Sequence, residues 1–186
     1  MAKDTLHDEL ELDRIYGVAS SPAPLTDLGS PLGDSQVIDT LNTLLEATRD
    51  GDYGFSTAAS YTDSPHLKTR LDRRASECRE AGQELQALIV RLGGAVGEGG
   101  STAGALHRGW VSVRGTLSHY SDEAMLNECE RGEDAEMAAY IKALTTDLPP
   151  GVRSVVERQA QVVRRNRGEV QAMRESLQPV SPGQQR

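Results

Sequence analysis

The sequence is poor in aromatic side chains and in long apolar runs. Aromatic residues occupy 4% of the 186 positions, so a folded core has to be built from aliphatic side chains and alanine. Such a core suits packed helices better than a β-sandwich, which relies on β-branched and aromatic residues. No apolar run approaches the length of about 18 residues that predicts a membrane span, and the N-terminus has no apolar signal core. We therefore expect a cytoplasmic protein that does not contact a membrane.

The sequence also has fewer basic than acidic residues. The chain carries 20 Lys and Arg residues against 28 Asp and Glu residues, which gives a net charge of −8. This excess of acid disfavours broad binding to nucleic acid or to anionic membranes. Cysteine occurs only as Cys78 and Cys129. Both fall on apolar faces of predicted helices, which indicates buried, reduced thiols that act as small hydrophobic residues.

The sequence lacks recognisable catalytic and cofactor-binding motifs. The glycine-rich stretch 95–104 does not end in the Gly-Lys-Ser/Thr of a phosphate-binding loop, and we interpret it as a connection. Neither cysteine has an obvious His or Asp partner in the sequence, so nucleophilic catalysis is not supported. No catalytic or cofactor-binding residue is predicted.

Helical periodicity dominates the rest of the chain. Apolar or small residues recur at i, i+3, i+4 and i+7, as expected for helices with one buried face. The first long helix is predicted to begin at Asp34 or Ser35 and to end near Asp63. The others are predicted over 65–92, 123–146 and 152–177, with a short helix over 103–118. We expect tails at 1–33 and 179–186 and a single bundle domain over 34–178.

This arrangement predicts an all-α fold. Four long helices, with a short extra helix in the crossover between the second and third, match a four-helix bundle with one long crossover, which is the connectivity of ferritin-like bundles. The two short connections predict that each flanking pair of helices is antiparallel.

Several motifs resemble a family of bacterial four-helix-bundle proteins that is classed as ferritin-like and has no established function. They are found in order at 37–55, 104–110 (GALHRGW), 128–134 (ECERGED), 148–150 (LPP) and 155–159 (VVERQ). The resemblance covers residues 34–177, implies a ferritin-like fold and brings no catalytic residues. This chain has Ser60 where relatives often carry an acid, and Arg167 near the position where they often carry a histidine. If the family binds a metal through those groups, this member has lost two of them.

A di-iron bundle needs carboxylates from four helices and a Glu-x-x-His pair on two of them. The residues three places before His66, His107 and His119 are not glutamates, and His7 lies in the N-terminal tail. The carboxylates of the chain are expected to be solvated or salt-bridged. A site for iron or manganese made of carboxylates alone is the weaker alternative. The carboxylates that are candidates for turning inward are Asp52, Glu77, Glu128, Glu133 and Glu157.

A polar layer is predicted inside the bundle. Arg74 interrupts the apolar seam of the second helix, and Asp52 lies beside the buried stripe of the first. Both are 11 residues from the turn near Asp63, so we predict that they pair across the hairpin. Gln159 and Asn166 on the last helix extend the same layer.

The short helix offers a further candidate interaction point at His107, Arg108 and Trp110. The alternative is that Trp110 packs over the end of the bundle and His107 is simply hydrogen-bonded.

The functional hypothesis has two branches. We expect a non-catalytic or weakly metal-associated ferritin-like bundle that acts as a homo-oligomer or with a protein partner, with a stress-related role suggested by the resemblance. The alternative is a di-iron or di-manganese carboxylate oxidase or an iron-handling protein.

Overall fold

Four α-helices make up almost all of the described structure. The computed structural model describes residues 34–97 and 121–177, and these ranges contain no β-strand. The all-α fold and the number of long helices are therefore confirmed. The predicted tails and the predicted short helix over 103–118 lie outside the described residues. The helices are α1 (Asp34–Tyr61), α2 (Pro65–Arg91), α3 (Asp122–Leu144) and α4 (Pro150–Leu177).

Local sequence signals set the ends of α2 and α3. The hydroxyl of Ser64 accepts a hydrogen bond from the backbone N–H of Leu67, and Pro65 occupies the first turn of α2. Ser121 caps α3 in the same way, through the N–H of Ala124. Gly93 stops α2 with a φ of 75°, a left-handed conformation that favours glycine.

Several predicted boundaries differ from the observed ones by one or two residues, among them those of α3 and α4. Helix α3 ends at Leu144, two residues before the predicted end. Helix α4 begins at Pro150 rather than Val152. Proline has no N–H to lose and a fixed φ, so it is well suited to a first helical turn.

The described ends determine the direction of each helix. The hydroxyl of Thr62, just after α1, donates to Oδ1 of Asp122 at 2.9 Å, so α3 begins at the end of the bundle where α1 finishes. Helix α2 starts at that same end and runs away from it, so α2 and α3 are parallel. The connection between them therefore has to return along the length of the bundle, as ferritin-like connectivity requires.

The first residues of this connection run back over α1. The Asn42 amide donates to the carbonyl of Ala95 at 3.1 Å and accepts from the N–H of Gly97 at 2.8 Å. Arg49, further along α1, donates to the carbonyl of Gly97 at 2.7 Å. The chain thus turns toward the end of the bundle where α3 begins.

Two apolar clusters fill the core, with polar side chains between them. One cluster joins the beginning of α1, the end of α2, the end of α3 and the beginning of α4, and it includes Leu41, Leu85, Tyr140 and Val156. The other fills the opposite end and includes Phe55, Leu71, Leu126 and Val170. The buried polar residues between the clusters are Thr48, Arg74, Glu133, Glu136, Gln159 and Asn166. In the ranges 34–97 and 121–177, no helix has the length and apolar character needed to cross a bilayer.

Candidate functional site

The centre of the bundle holds one guanidinium between two carboxylates. Nε of Arg74 donates to Oε1 of Glu133 at 2.5 Å, and Nη2 donates to Oε2 of the same group at 3.3 Å. Nη2 also donates to Oε2 of Glu136 at 2.7 Å. The three side chains are 6%, 0% and 3% exposed. The planar fork of arginine suits this arrangement, because it can bond both oxygens of one carboxylate and still reach a second.

Helical spacing brings these groups together. Arg74 lies on the buried face of α2 between Leu71 and Cys78. Glu133 and Glu136 are three residues apart on α3, so they project from the same face of that helix. The guanidinium carbon also lies 5.3 Å from the centre of the Phe55 ring on α1, within the range of a cation–π contact.

Gly51 allows α1 to approach the cluster closely. A Cβ atom at this position would lie 2.8 Å from Sγ of Cys78 and 3.4 Å from Oε2 of Glu136. The first distance is shorter than two such atoms tolerate, so a larger residue would push α1 away. Glycine is thus required here by packing against the cluster, although it weakens a helix interior.

Burial sets the protonation of the cluster. It raises the pKa of Glu136 to about 8, although the charge of Arg74 opposes this rise. Burial likewise raises the pKa of Glu133, against the opposing effect of Arg74. Burial alone would lower the pKa of Arg74, but the attraction of Glu136 and Glu133 outweighs it and the pKa rises. With one proton on the pair of acids, the arginine and the remaining carboxylate form a neutral group at neutral pH.

Further polar contacts tie α2 to α4, two helices that pack less closely than α1 and α2 or α3 and α4. The Gln159 amide donates to Oε2 of Glu84 at 2.7 Å and accepts from the Tyr140 hydroxyl at 2.9 Å. The Asn166 amide donates to Oε2 of Glu77 at 2.6 Å. Arg74, Gln159 and Asn166 are all buried, so a polar layer crosses the bundle at mid-height.

The predicted pairing of Asp52 with Arg74 is wrong. Asp52 instead accepts from Arg79, at 2.6 Å from Nη2 and 3.2 Å from Nε, and its side chain is 28% exposed. Equal distance from the turn places two residues at similar height but does not fix the direction in which each side chain points. Asp52 points toward the outer α1–α2 groove, whereas Arg74 points inward to α3.

The five predicted metal-ligating carboxylates do not converge. Asp52 and Glu133 bind arginines as described, and Glu77 binds Asn166. Glu128 lies 3.1 Å from Arg131, and Glu157 lies 3.9 Å from Arg153 near the surface. Across residues 34–97 and 121–177, no three His, Cys, Asp or Glu side chains are arranged to hold a metal ion.

A di-iron or di-manganese centre does not fit the residues at the middle of the bundle. Such a centre needs several anionic oxygens directed at the metal. Here the two innermost carboxylates are directed at the guanidinium of Arg74. The two residues that differ from the family pattern, Ser60 and Arg167, lie away from this centre. Ser60 is exposed, and Nε of Arg167 lies 2.6 Å from Oδ1 of Asp134.

Sequence reasoning missed Glu136. Small residues of α3, among them Gly132, Ala135 and Ala139, line a groove between α1 and α3. The buried face of α3 passes through Glu133 and Glu136 instead. The spacing of the buried residues of α3 could have identified Glu136. They follow one another by four, four, three and four residues, which is the pattern of one helical face: Met125, Cys129, Glu133, Glu136 and Tyr140.

Two cavities reach the cluster from opposite sides. The α1–α3 groove has a volume of about 210 Å³, is mainly apolar, and includes Phe55 and Cys129 in its lining. The α2–α4 cleft has a similar volume of about 210 Å³ and is more polar, with Glu77 and Arg158 among its lining residues. Glu136 lines both.

The two cysteines are free and buried, as predicted. Burial raises the pKa of both thiols well above the ordinary value. Such thiols are poor nucleophiles, because the thiolate is the reactive form. The predicted interaction point at His107, Arg108 and Trp110 lies outside the described residues.

Comparisons with known proteins place the fold and the family. No curated protein matches this chain. The chain is similar to the crystal structure of a two-domain protein from Anabaena variabilis that contains DJ-1/ThiJ/PfpI-like and ferritin-like domains, with a TM-score of 0.63 and 11% identity. The match covers 92% of this chain and 51% of that one, so this chain spans about half its length. Residues 36–146 match the family described as Domain of unknown function (DUF2383). This chain therefore belongs to the DUF2383 family and folds as a ferritin-like helical bundle.

Proposed function

We propose that this protein is a ferritin-like bundle without catalytic activity at its centre, and that it works by binding a protein partner or further copies of itself. The observation that carries the proposal is the position of Arg74. Its guanidinium supplies a permanent positive charge to Glu133 and Glu136 at the middle of the bundle. In ferritin-like di-iron proteins, bundle carboxylates from facing helices hold metal ions instead.

Metal binding at this place would carry a large energetic penalty. A metal ion would have to displace the hydrogen bonds that join Arg74 to Glu133 and Glu136. The displaced guanidinium would remain buried without its partners, at a cost on the order of 3–5 kcal/mol. This penalty favours the non-catalytic hypothesis over the oxidase or iron-handling alternative.

Charge and exposed apolar surface support a protein partner. A net charge of −8 disfavours nucleic acid. Tyr61 and Leu177 are large apolar residues that are each 43% exposed, and they lie where α1 and α4 end. Both helices end on the same side of the bundle, so these residues favour a protein contact there. The suggestion of a stress-related role rests on the resemblance to the family.

Metal analysis of three proteins tests the central claim. The wild type, Arg74→Met and the control Arg79→Met are dialysed after anaerobic loading with Fe²⁺ or Mn²⁺, and bound metal is measured by elemental analysis. We expect no stoichiometric metal in the wild type or in the Arg79→Met control. Arg74→Met leaves Glu133 and Glu136 without their cation and is expected to retain more metal than either.

Stoichiometric metal in the wild type, lost in Glu133→Ala and kept in Glu157→Ala, would overturn the proposal and establish a metal centre. Light scattering over a range of concentrations tests the second part. A monomer at every concentration would remove self-association and leave the partner hypothesis.

A further inference from the structure

Three of the four oxygens of the central acid pair accept hydrogen bonds from Arg74. Both oxygens of Glu133 do so, whereas Glu136 uses only Oε2. Oε1 of Glu136 is therefore the one oxygen of the described pair that accepts nothing from Arg74. A proton is most stable there, because on any other oxygen it would compete with the guanidinium N–H groups for the same lone pairs. The geometry thus assigns the proton of the pair to Glu136.

The polar cleft between α2 and α4 gives water a route to this carboxyl group. Glu136 lines the cleft, whose volume of about 210 Å³ has room for several water molecules at roughly 30 Å³ each. Glu136 also lines the α1–α3 groove, but that groove is mainly apolar and would hydrate a charge poorly. Water that stabilises an ionised Glu136 therefore comes from the α2–α4 side.

Two sets of polar contacts join α2 and α4 along the cleft. Glu84 accepts from Gln159 at 2.7 Å and forms an ion pair with Arg158, and Glu77 accepts from Asn166 at 2.6 Å. Seven residues separate the two sets on each helix, which is about 10 Å along the axis. Since α2 and α4 pack less closely than α1 and α2, this side of the bundle depends more on contacts that water can replace.

The ionisable groups near Glu136 do not supply a second buried cation. Acidic side chains of α1 and α2 line the two cavities that Glu136 reaches, and they are Glu46, Asp50, Glu77, Glu80 and Glu84. The cations that α4 contributes to the cleft, Arg158 and Arg165, are exposed, so water screens them. Cys78 and Tyr140 stay neutral, because burial raises the pKa of both groups.

Loss of the proton would therefore leave an uncompensated charge at the centre. Arg74 carries one positive charge, and Glu133 and Glu136 would then carry two negative ones. A buried charge without a partner is costly, and hydration relieves that cost.

We propose that loss of the proton from Glu136 opens the α2–α4 cleft: water enters to hydrate the carboxylate, the contacts of Glu77 and Glu84 with α4 break, and the two helices move apart there. Helix α1 stays on α2, because these helices are closely packed. The width of the cleft thus depends on pH. The inference does not depend on the proposed function, since it concerns the acid pair of the protein and not a partner.

The width of the cleft is measured in the full-length protein by double electron–electron resonance between two spin labels. Labels at Gln83→Cys and Gln161→Cys report on α2 and α4, and both positions are exposed without lining the cleft. Labels at Asp39→Cys and Gln83→Cys report on α1 and α2 as the control pair. Cys78 and Cys129 are buried, and wild-type protein treated with the label checks that they do not react.

Distances are compared two pH units below and two pH units above the pKa of Glu136, which is about 8. We expect the α2–α4 distance to be longer at the higher pH by on the order of 3 Å, the spacing of one hydrogen-bonded water. The α1–α2 distance should not change. Glu136→Gln should abolish most of the lengthening, because Arg74 then faces a single carboxylate and the ionised pair is neutral. If Glu136→Gln does not fold, Glu133→Gln replaces it for the same reason.

Three results would overturn the proposal. An α2–α4 distance that is the same at both pH values in the wild type would show that the cleft does not open. Equal lengthening of both label pairs would mean that the whole bundle loosens. Lengthening in Glu136→Gln as large as in the wild type would mean that another group drives the change.

Discussion

Replacing Arg74 by methionine should destabilise the protein more than any other single arginine substitution in the described structure. The change removes the one cation that faces both Glu133 and Glu136 and leaves the two acids buried. All three side chains are at most 6% exposed, so solvent screens their interaction little. We expect a loss of about 3–5 kcal/mol in the free energy of unfolding at neutral pH. For a domain with a typical total of about 5–15 kcal/mol, this is about a fifth of the stability or more.

The assay is a double-mutant cycle by urea denaturation, with Arg74→Met, Glu133→Leu and the combined variant. Arg74→Met leaves both acids without their cation, Glu133→Leu leaves Arg74 with Glu136 as its remaining acid partner, and the double change removes the whole Arg74–Glu133 pair. The double variant should therefore be more stable than the sum of the two losses predicts, because an apolar pair of similar size often replaces a buried ion pair at little cost. Arg79→Met is the matched control. Arg79 is 52% exposed and pairs with Asp52, so its loss should cost no more than about 1 kcal/mol.

Two results would refute this reasoning. Strictly additive losses in the cycle would mean that Arg74 and Glu133 do not interact. A loss for Arg74→Met as small as that of Arg79→Met would mean that the cluster is solvated rather than buried.

Three further changes test separate parts of the structure. Burial raises the pKa of Glu136 from 4.5 to about 8. The proton on Glu136 therefore stabilises the folded protein fully below pH 4.5, and this stabilisation is lost as the pH rises through about 8. Urea midpoints should fall over this range for the wild type and fall less steeply for Glu136→Gln, in which Glu133 is the remaining buried acid of raised pKa, and an equal fall in both would contradict the assignment. Gly51→Ala should cost about 1–3 kcal/mol in urea denaturation because of the contact with Cys78. Gly132→Ala, which meets nothing within 4 Å, is its control and should not destabilise. Asp52→Ala should cost less than about 1 kcal/mol, and a loss as large as that of Arg74→Met would restore the pairing we have rejected.

The buried cluster also bears on how this bundle places carboxylates at its centre. Glu133 and Glu136, which α3 directs inward, need positive charge nearby, because an unpaired buried carboxylate is costly. Arg74 provides this charge from within the chain, and a proton on the acid pair neutralises the remainder. The bundle is thus satisfied electrostatically by its own residues.

The sequence alone predicted the elements of the fold. Periodicity identified the four long helices, and Ser64, Ser121 and Gly93 lie at the observed ends of α2 and α3. These features depend on residues within a few positions of one another, so local patterns are sufficient to predict them. The burial of Cys78 and Cys129 could also be predicted from the sequence, because it follows from the same periodicity.

The partners of Arg74 were decided only by the tertiary structure. The sequence showed that Arg74 interrupts an apolar seam and therefore needs a partner, and it offered Asp52 at the same height. The actual partners, Glu133 and Glu136, come from a helix that follows a long crossover. Their meeting depends on which face α3 turns toward α2, and a rotation of one residue about a helix axis, about 100°, changes that face. Local periodicity shows that a helix has a buried side, but packing among all four helices selects which polar residues on that side meet.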